Sequence, residues 1–209
     1  MGLLQLLFRD PLTFFLLAVP LLYSIIIHEL AHGWVAYKMG DSTAKWLGRL
    51  SLDPRKHIDP IGTLMLLIFG FGWAKPVPIN INNFHDLRRG LILVSSAGIA
   101  ANIILAFLSF LAIRIFSPFP EGFESINIML SYMARINIML ASFNLIPIPP
   151  LDGSKILMGF TTGRFQYTLQ SLEPYGMFII IGLLYLRALD PLIAFFQWII
   201  LGTIQLFLP

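Results

Sequence analysis

The chain of 209 residues contains no cysteine. This absence excludes disulfide bonds and thiolate metal ligands, so a metal site in this chain must use nitrogen and oxygen donors. It also removes the usual sequence evidence for an oxidising or a reducing compartment.

Charged residues are also scarce. They make up 12% of the chain, whereas hydrophobic residues make up 57% and the mean hydropathy is +0.80. A soluble domain has about 25% charged residues, so this composition predicts an integral membrane protein in contact with a lipid bilayer. The net charge of +3 is explained by basic cytoplasmic loops, and we expect no nucleic-acid partner.

The apolar runs predict an all-α membrane protein, a bundle of about five to six transmembrane helices. We expect one transmembrane domain over residues 1–209, without an appended soluble domain of about 100 residues. A spanning helix needs roughly 20 apolar residues. The candidate spans are residues 11–38, 90–113, 126–146, 174–186 and 191–209.

Residues 61–73 are apolar, but they are too few to cross a bilayer and include three glycines. Basic residues lie on both sides of this segment, which argues against a crossing. We predict a short re-entrant, β-like segment that enters the membrane and returns. The loop at 117–125 has two glutamates and no Lys or Arg, so we place it outside and the chemistry toward the cytoplasmic side.

The stretch "SIIIHELAHGWVAYK" at residues 24–38 places ionisable side chains at the end of an apolar run. His28 and His32 are four residues apart and share one face of a helix. Two imidazoles suit zinc, which in catalytic sites keeps a position open for water, and Glu29 is placed to accept a proton from that water. The alternative is a pair of histidines that hydrogen-bond to neighbouring helices.

A third ligand is offered by "FNLIPIPPLDG" at residues 143–153. Its three prolines remove amide donors and prevent a regular helix. An extended chain there can bring Asp152 back toward the histidines, which gives a His-His-Asp site. The alternative for Asp152 is a cap or turn residue before Gly153.

Together, "HELAH" and the downstream "NLIPIPPLDG" resemble the paired motifs of the site-2 protease family of intramembrane zinc metalloproteases. Residues 48–64, 72–84 and 95–106 are also similar to that family, in its compact prokaryotic form without PDZ or CBS domains. The resemblance implies one Zn²⁺ held by His28, His32 and Asp152, with Glu29 as general base. It implies cleavage of transmembrane protein substrates in a prokaryotic cytoplasmic membrane, as part of regulated intramembrane proteolysis.

The resemblance also points to Asn102 and Asn144 as residues that bind the substrate backbone or the developing oxyanion. The alternative for both is hydrogen bonding between membrane helices. His57 is expected to hydrogen-bond to the chain or to lie near the entrance of the site, because a fourth protein ligand would close the metal site. The chain departs from the family at Gly98-Ile99, where other members often have Gly-Pro.

Residues 76–82, "PVPININ", alternate apolar and other side chains as a strand does. We expect this segment to pair with an unwound substrate by strand addition. The alternative is a loop that reconnects the re-entrant segment. Two other functions are compatible with the motifs: a transporter or channel with a transient metal site, and a silent homologue that binds membrane partners without cutting them.

Overall fold

The structure is a computed structural model that describes residues 3–70 and 72–208. Within these residues the chain forms ten α-helices joined by turns, short 3₁₀ helices and irregular segments, and no β-strand. The helices are α1 (Leu3–Arg9), α2 (Pro11–Lys38), α3 (Thr43–Trp46), α4 (Pro60–Phe69), α5 (Leu87–Phe116), α6 (Glu124–Asn144), α7 (Asp152–Phe160), α8 (Arg164–Leu172), α9 (Gly176–Tyr185) and α10 (Asp190–Phe207).

Four of the described helices are long and apolar enough to cross a membrane, namely α2, α5, α6 and α10. The prediction of a helical membrane protein is therefore confirmed. The predicted count of five to six spans is not confirmed, because the run at 174–186 forms only the ten-residue α9. Ten residues extend about 15 Å along a helix, which is half of the roughly 30 Å of a bilayer core.

Helix α2 is the longest apolar element at the amino-terminal end, and local sequence signals define its ends. Asp10 caps its first turn by accepting a hydrogen bond from the Thr13 amide at 3.1 Å, and Pro11 occupies the first helical position. The helix runs for 28 residues and ends before Gly40, which has a positive φ of 112°. One continuous helix thus carries both histidines and Glu29.

The centre of the bundle is formed by α2, α5 and α6, with α7 and α10 packed around them. Small and branched side chains of α5, α6 and α10 form the main apolar cluster: Ile99, Ala106, Ile138, Ala141, Ile200 and Ile204. Helix α7 lies close to α5, where a Cβ added to Gly159 would come within 2.4 Å of Ile92. Helix α2 also packs against α5, so α5 positions α2 and α7 relative to one another.

The region between α4 and α5 is irregular and forms no strand over its described residues, 72–86. The segment at 61–73, which we expected to be β-like, instead forms helix α4 up to Phe69, because Asp59 caps a continuous apolar helix that ends at Gly70. A 3₁₀ turn covers Ile81–Asn83. Single hydrogen bonds from other parts of the chain hold the irregular region. The Lys75 amide donates to the His57 carbonyl at 2.8 Å, and the Arg49 guanidinium donates to the Lys75 carbonyl at 2.8 Å. The re-entrant path stays a prediction.

Asp41 anchors the other end of this region. Its fully buried carboxylate accepts hydrogen bonds from the Asn80 amide at 2.7 Å, the Asn83 side chain at 2.8 Å and the Thr43 amide at 3.1 Å. Burial raises the pKa of this carboxyl, but the hydrogen bonds from Thr43, Asn83 and Asn80 outweigh burial and lower its pKa below the ordinary 3.8. The carboxylate therefore ties the end of α2 to the irregular segment.

We expect Asp41→Asn to destabilise the protein at neutral pH by about 1–3 kcal/mol, because an amide nitrogen replaces an acceptor that faces buried donors. Since the folded-state pKa is lowered, the wild-type contribution is present above the unfolded pKa and is lost as pH falls through the folded value. The difference in thermal midpoint in detergent should therefore shrink below about pH 4. Asp190→Asn, at a carboxylate 54% exposed, is the control; equal midpoints for the two variants at neutral pH would contradict the role of Asp41.

Candidate metal centre

The two histidines of α2 point at one place, and Asp152 meets them there. The Nε2 atoms of His28 and His32 are 3.0 Å apart, and Asp152 Oδ2 lies 3.2 Å from each of them. All three side chains are buried. They form a group whose ligand atoms are close enough to share one metal ion, so the structure brings the three predicted ligands together.

The route of the chain to Asp152 explains why this carboxylate reaches α2. Helix α6 ends at Asn144, and the proline-containing segment that follows separates it from α7, whose first residue is Asp152. Gly153 allows the two helix ends to touch, since a Cβ there would lie 2.3 Å from the Leu145 carbonyl oxygen and 2.6 Å from that of Ile146. The "LDG" sequence thus provides both the ligand and the space for a sharp turn.

The hydrogen bonds of the two imidazoles define their tautomers. His28 Nδ1 lies 2.6 Å from Asn102 Oδ1, and His32 Nδ1 lies 2.7 Å from the Val94 carbonyl oxygen. Both partners are acceptors, so each Nδ1 carries the proton and each Nε2 presents a lone pair.

The group therefore fits a cation. Two imidazole lone pairs converge on Asp152 Oδ2, which is buried without a hydrogen-bond partner in the described structure. Three electron-pair donors this close repel one another unless a positive charge lies between them. Two nitrogens and one carboxylate oxygen match the three protein ligands of a catalytic zinc site.

Gly98 of α5 provides the space in which the rings lie. A Cβ at this position would come within 2.5 Å of His32 Nε2 and 2.6 Å of His28 Cε1. No real Cβ contact is that short, so any larger residue must displace the rings. The close approach of α5 to α2 thus depends on glycine at position 98.

Glu29 lies beside the ligands and lines a cavity of about 620 Å³ that also reaches His28, His32 and Asp152. Its Oε2 accepts a hydrogen bond from the Val77 amide at 2.7 Å. Val77 stands between Pro76 and Pro78, so it has the single amide hydrogen of this tripeptide. The hydrogen bond between Val77 and Glu29 was not predicted from the sequence. A Pro-X-Pro sequence is a signal for such a contact, because its one amide hydrogen needs an acceptor.

The two asparagines occupy different environments. Asn102 is fully buried, and its carboxamide contacts His28 and Asn137 rather than the cavity. Asn144 lines the cavity, and its Nδ2 donates to the Leu140 carbonyl at 3.0 Å, which leaves one amide hydrogen for another acceptor. His57 is buried away from the ligand group, with Nε2 at 2.8 Å from the Ser51 carbonyl oxygen, in line with the expected structural role.

A helix bundle with a buried three-ligand metal group and an adjacent glutamate is the architecture of a metal-dependent hydrolase. Comparison with known proteins agrees with this class. The sequence model of Peptidase family M50 matches residues 120–186. No solved structure matches the chain significantly.

Relatives cover most of the chain. It is 39% identical over 195 residues to "Putative zinc metalloprotease YwhC" of Bacillus subtilis, an alignment that covers 90% of this chain and 86% of the relative. It is 29% identical over 184 residues to "Putative zinc metalloprotease Rip2" of Mycolicibacterium smegmatis, covering 85% and 70%. It is 30% identical over 149 residues to "Putative zinc metalloprotease MJ0611" of Methanocaldococcus jannaschii, covering 70% and 71%.

The chain belongs to peptidase family M50, the site-2 protease family. It is a zinc metalloprotease, and zinc is the metal that its His-His-Asp group fits. The family gives no support to the alternative of a transporter or channel. Its four apolar helices make it a membrane-embedded member.

We expect Gly98→Ala to weaken zinc binding by about 10–100-fold, the range seen when the groups that orient metal ligands are disturbed. The physical reason is the contact of the new methyl group with both imidazoles. Equilibrium competition with a zinc chelator on the purified protein measures the effect. Gly202→Ala in α10, where a Cβ meets no atom within 4 Å, is the matched control. Equal zinc affinity in the two variants would show that the rings tolerate the methyl group.

Proposed function

We propose that this zinc metalloprotease hydrolyses peptide bonds within or near the transmembrane segments of membrane proteins. The observation that carries the proposal is that both histidine ligands lie inside a candidate spanning helix, α2. Lys38, the first charged residue after the site, lies six residues beyond His32, or about 9 Å along the helix. A peptide bond of a soluble protein does not reach that depth, whereas a bond of a membrane segment is already there.

The residues around the metal suit peptide hydrolysis. When bound, zinc polarises the scissile carbonyl and makes a water molecule acidic near neutral pH. Glu29 accepts the proton of the attacking water and returns it to the leaving amine. The amide hydrogen of Asn144 that is not bonded to Leu140 donates to the developing oxyanion at the cavity wall.

The distribution of charge favours a site that opens toward the cytoplasm. Basic residues follow the ligand-bearing end of α2 and flank the irregular segment and α7: Lys38, Lys45, Arg49, Arg55, Lys56, Lys75, Arg88, Arg89, Lys155 and Arg164. Cytoplasmic loops carry such an excess. We therefore propose a protease of the prokaryotic cytoplasmic membrane that acts in regulated intramembrane proteolysis, with a transmembrane protein as substrate.

A helical substrate must unwind before it is cut, because its carbonyls are hydrogen-bonded within the helix. The segment at 76–82 supplies main-chain groups that an unwound strand can use. Val77 and Ile79 both line the cavity, and prolines hold the residues before them extended. In an extended chain the amides of residues two apart point to the same side, so the Ile79 amide faces the same way as that of Val77. The Val77 amide is bonded to Glu29, whereas the Ile79 amide has no hydrogen bond in the described structure. We propose that the substrate strand pairs with Ile79.

We expect Glu29→Gln to retain zinc and to lower the rate of cleavage by at least about 10²-fold, because the amide accepts from Val77 but does not accept a proton from water. The substrate is a tagged single-span protein with about 20 apolar residues interrupted by an Asn-Pro pair. Mass spectrometry of the products locates the cut. Chelator-sensitive cleavage within the apolar span by the wild type, lost in Glu29→Gln, is the expected result.

Three results would contradict this proposal. Cleavage confined to the soluble tags would remove the intramembrane site of action. A Glu29→Gln variant as fast as the wild type would remove Glu29 as the base. Zinc binding without cleavage of any single-span substrate, with or without an Asn-Pro pair in its apolar span, would favour the alternative of a silent binding protein.

We expect Ile79→Pro to cleave the same substrate at least roughly fivefold more slowly, since it removes one main-chain hydrogen bond of about 1 kcal/mol. Ile79→Val, which keeps the amide and a branched side chain, is the control and should cleave at the wild-type rate. Zinc affinity should be equal in the two variants. Equal cleavage rates would show that the segment at 76–82 is only a connecting loop.

A further inference from the structure

Four buried polar side chains form a continuous chain of hydrogen bonds behind the metal ligands. It runs from Ser24 of α2 through Asn137 of α6 and Asn102 of α5 to His28. Ser24, Asn137 and Asn102 have no exposed surface at all. Unpaired polar groups in an apolar bundle are strongly unfavourable, so the direction of each bond in this chain is determined by its neighbours.

Two backbone carbonyl oxygens, which can only accept hydrogen bonds, determine the donor and acceptor roles at the start of this chain of hydrogen bonds. The Ser24 hydroxyl donates to the Pro20 carbonyl at 2.6 Å, so its oxygen accepts from Asn137 Nδ2 at 2.7 Å. The same Nδ2 also donates to the Met133 carbonyl at 2.8 Å. Both amide hydrogens of Asn137 are therefore used, and its Oδ1 is the atom that faces Asn102.

Asn102 then has one possible orientation. Its Nδ2 donates to Asn137 Oδ1 at 2.6 Å, which turns its Oδ1 toward His28 Nδ1 at 2.6 Å. His28 must carry its proton on Nδ1, and its Nε2 lone pair is directed at the metal position. A flipped Asn102 would present hydrogens to His28 and favour the opposite tautomer, which does not bind metal through Nε2.

The two histidines differ in this respect. His32 Nδ1 is held by the Val94 carbonyl oxygen, a group that cannot change its role. His28 is held by a carboxamide, which can rotate by half a turn and exchange donor for acceptor. Two acceptors of Asn102 Nδ2 oppose this rotation: Asn137 Oδ1 at 2.6 Å and, at the longer distance of 3.4 Å, the Ser24 carbonyl oxygen. Asn137, which makes the shorter bond, touches neither the metal ligands nor the cavity.

We propose that Asn137 is a positioning residue that fixes the metal-binding tautomer of His28 through Asn102, with Ser24 as a supporting partner. The inference rests on the zinc centre and not on the proposed membrane substrate. A protein that binds zinc as expected but fails to cut transmembrane segments would leave it intact. A failure of the inference about Asn137 can therefore be distinguished from a failure of the proposed function.

The test compares two variants of Asn137 in the full-length protein in detergent. Asn137→Leu removes the nearer acceptor of Asn102 Nδ2 and leaves the Ser24 carbonyl oxygen at 3.4 Å. We expect zinc affinity to fall by about 10–100-fold, the range for outer partners of metal ligands. Asn137→Asp keeps an acceptor for Asn102 Nδ2 but loses both amide donors and buries a carboxyl group. We expect it to lower the thermal midpoint more than Asn137→Leu does, yet to bind zinc within about threefold of the wild type.

The variant with the lower thermal midpoint is thus expected to bind zinc more tightly. In a purely structural role, zinc affinity would instead fall together with the thermal midpoint, so the comparison separates the two roles. Ser142→Ala is the matched control, because Ser142 is also fully buried on α6 and its hydroxyl has no hydrogen-bond partner in the described structure. It should bind zinc as the wild type does. Nitrogen-15 NMR of labelled histidine in the zinc-free protein should show the Nδ1–H form of His28 in the wild type and its loss in Asn137→Leu. Wild-type zinc affinity and an unchanged tautomer in Asn137→Leu would overturn the proposal.

Discussion

The structure depends on three electron-pair donors that meet inside an apolar helix bundle. Two imidazole nitrogens and a carboxylate oxygen lie within 3.2 Å of one another, and without a cation between them their approach is repulsive in a medium that screens charge poorly. Metal binding and the packing of α2, α5 and α7 are therefore linked, because the donors lie on or contact all three helices. A rearrangement of any one helix separates the ligands.

The surroundings of the centre are shaped by residues that leave space or remove donors. Gly98 lets α5 approach the imidazoles, and Gly153 lets the start of α7 touch the end of α6. The prolines after Asn144 end α6 without leaving amides unsatisfied in an apolar environment. The polar side chains that remain are paired in a fixed direction, from Ser24 to His28. Small residues and prolines thus set the distances, and buried carboxamides set the orientation.

Much of this centre was predictable from sequence, since the relevant signals are short and local. The i,i+4 spacing of His28 and His32 fixes a shared helix face, and the prolines before Asp152 indicate a chain break that frees a carboxylate. The contacts of Asn102 were not predictable, because whether a buried amide faces a cavity or a neighbouring helix depends on helix rotation. Asn137 had no local signal either, as its role depends on two partners on other helices.

The fold was predictable in class and less so in detail. Hydropathy identifies α2, α5, α6 and α10. Their apolar runs are long enough to span the lipid core as helices, in which the backbone N–H and C=O groups hydrogen-bond to one another. Residues 174–186 have the same composition but form the short α9, which ends before a turn at Arg187 with φ of 57°. The alternation at residues 76–82 predicts a strand, but two prolines leave too few amides for a ladder within the chain.

The irregular segment at 72–86 has a consequence for catalysis. Its backbone is held by single side chains or carbonyls at separate points, among them Arg49, Asp41 and the Glu29 carboxylate. Glu29, the base in the proposed reaction, is also the partner of the Val77 amide, so the position of the segment and the orientation of the Glu29 carboxylate are coupled. A strand that pairs with Ile79 would pull on a segment that already positions Glu29. Substrate binding and the alignment of the base then become parts of one event, and a site without a bound strand holds its base in a hydrogen bond to its own chain.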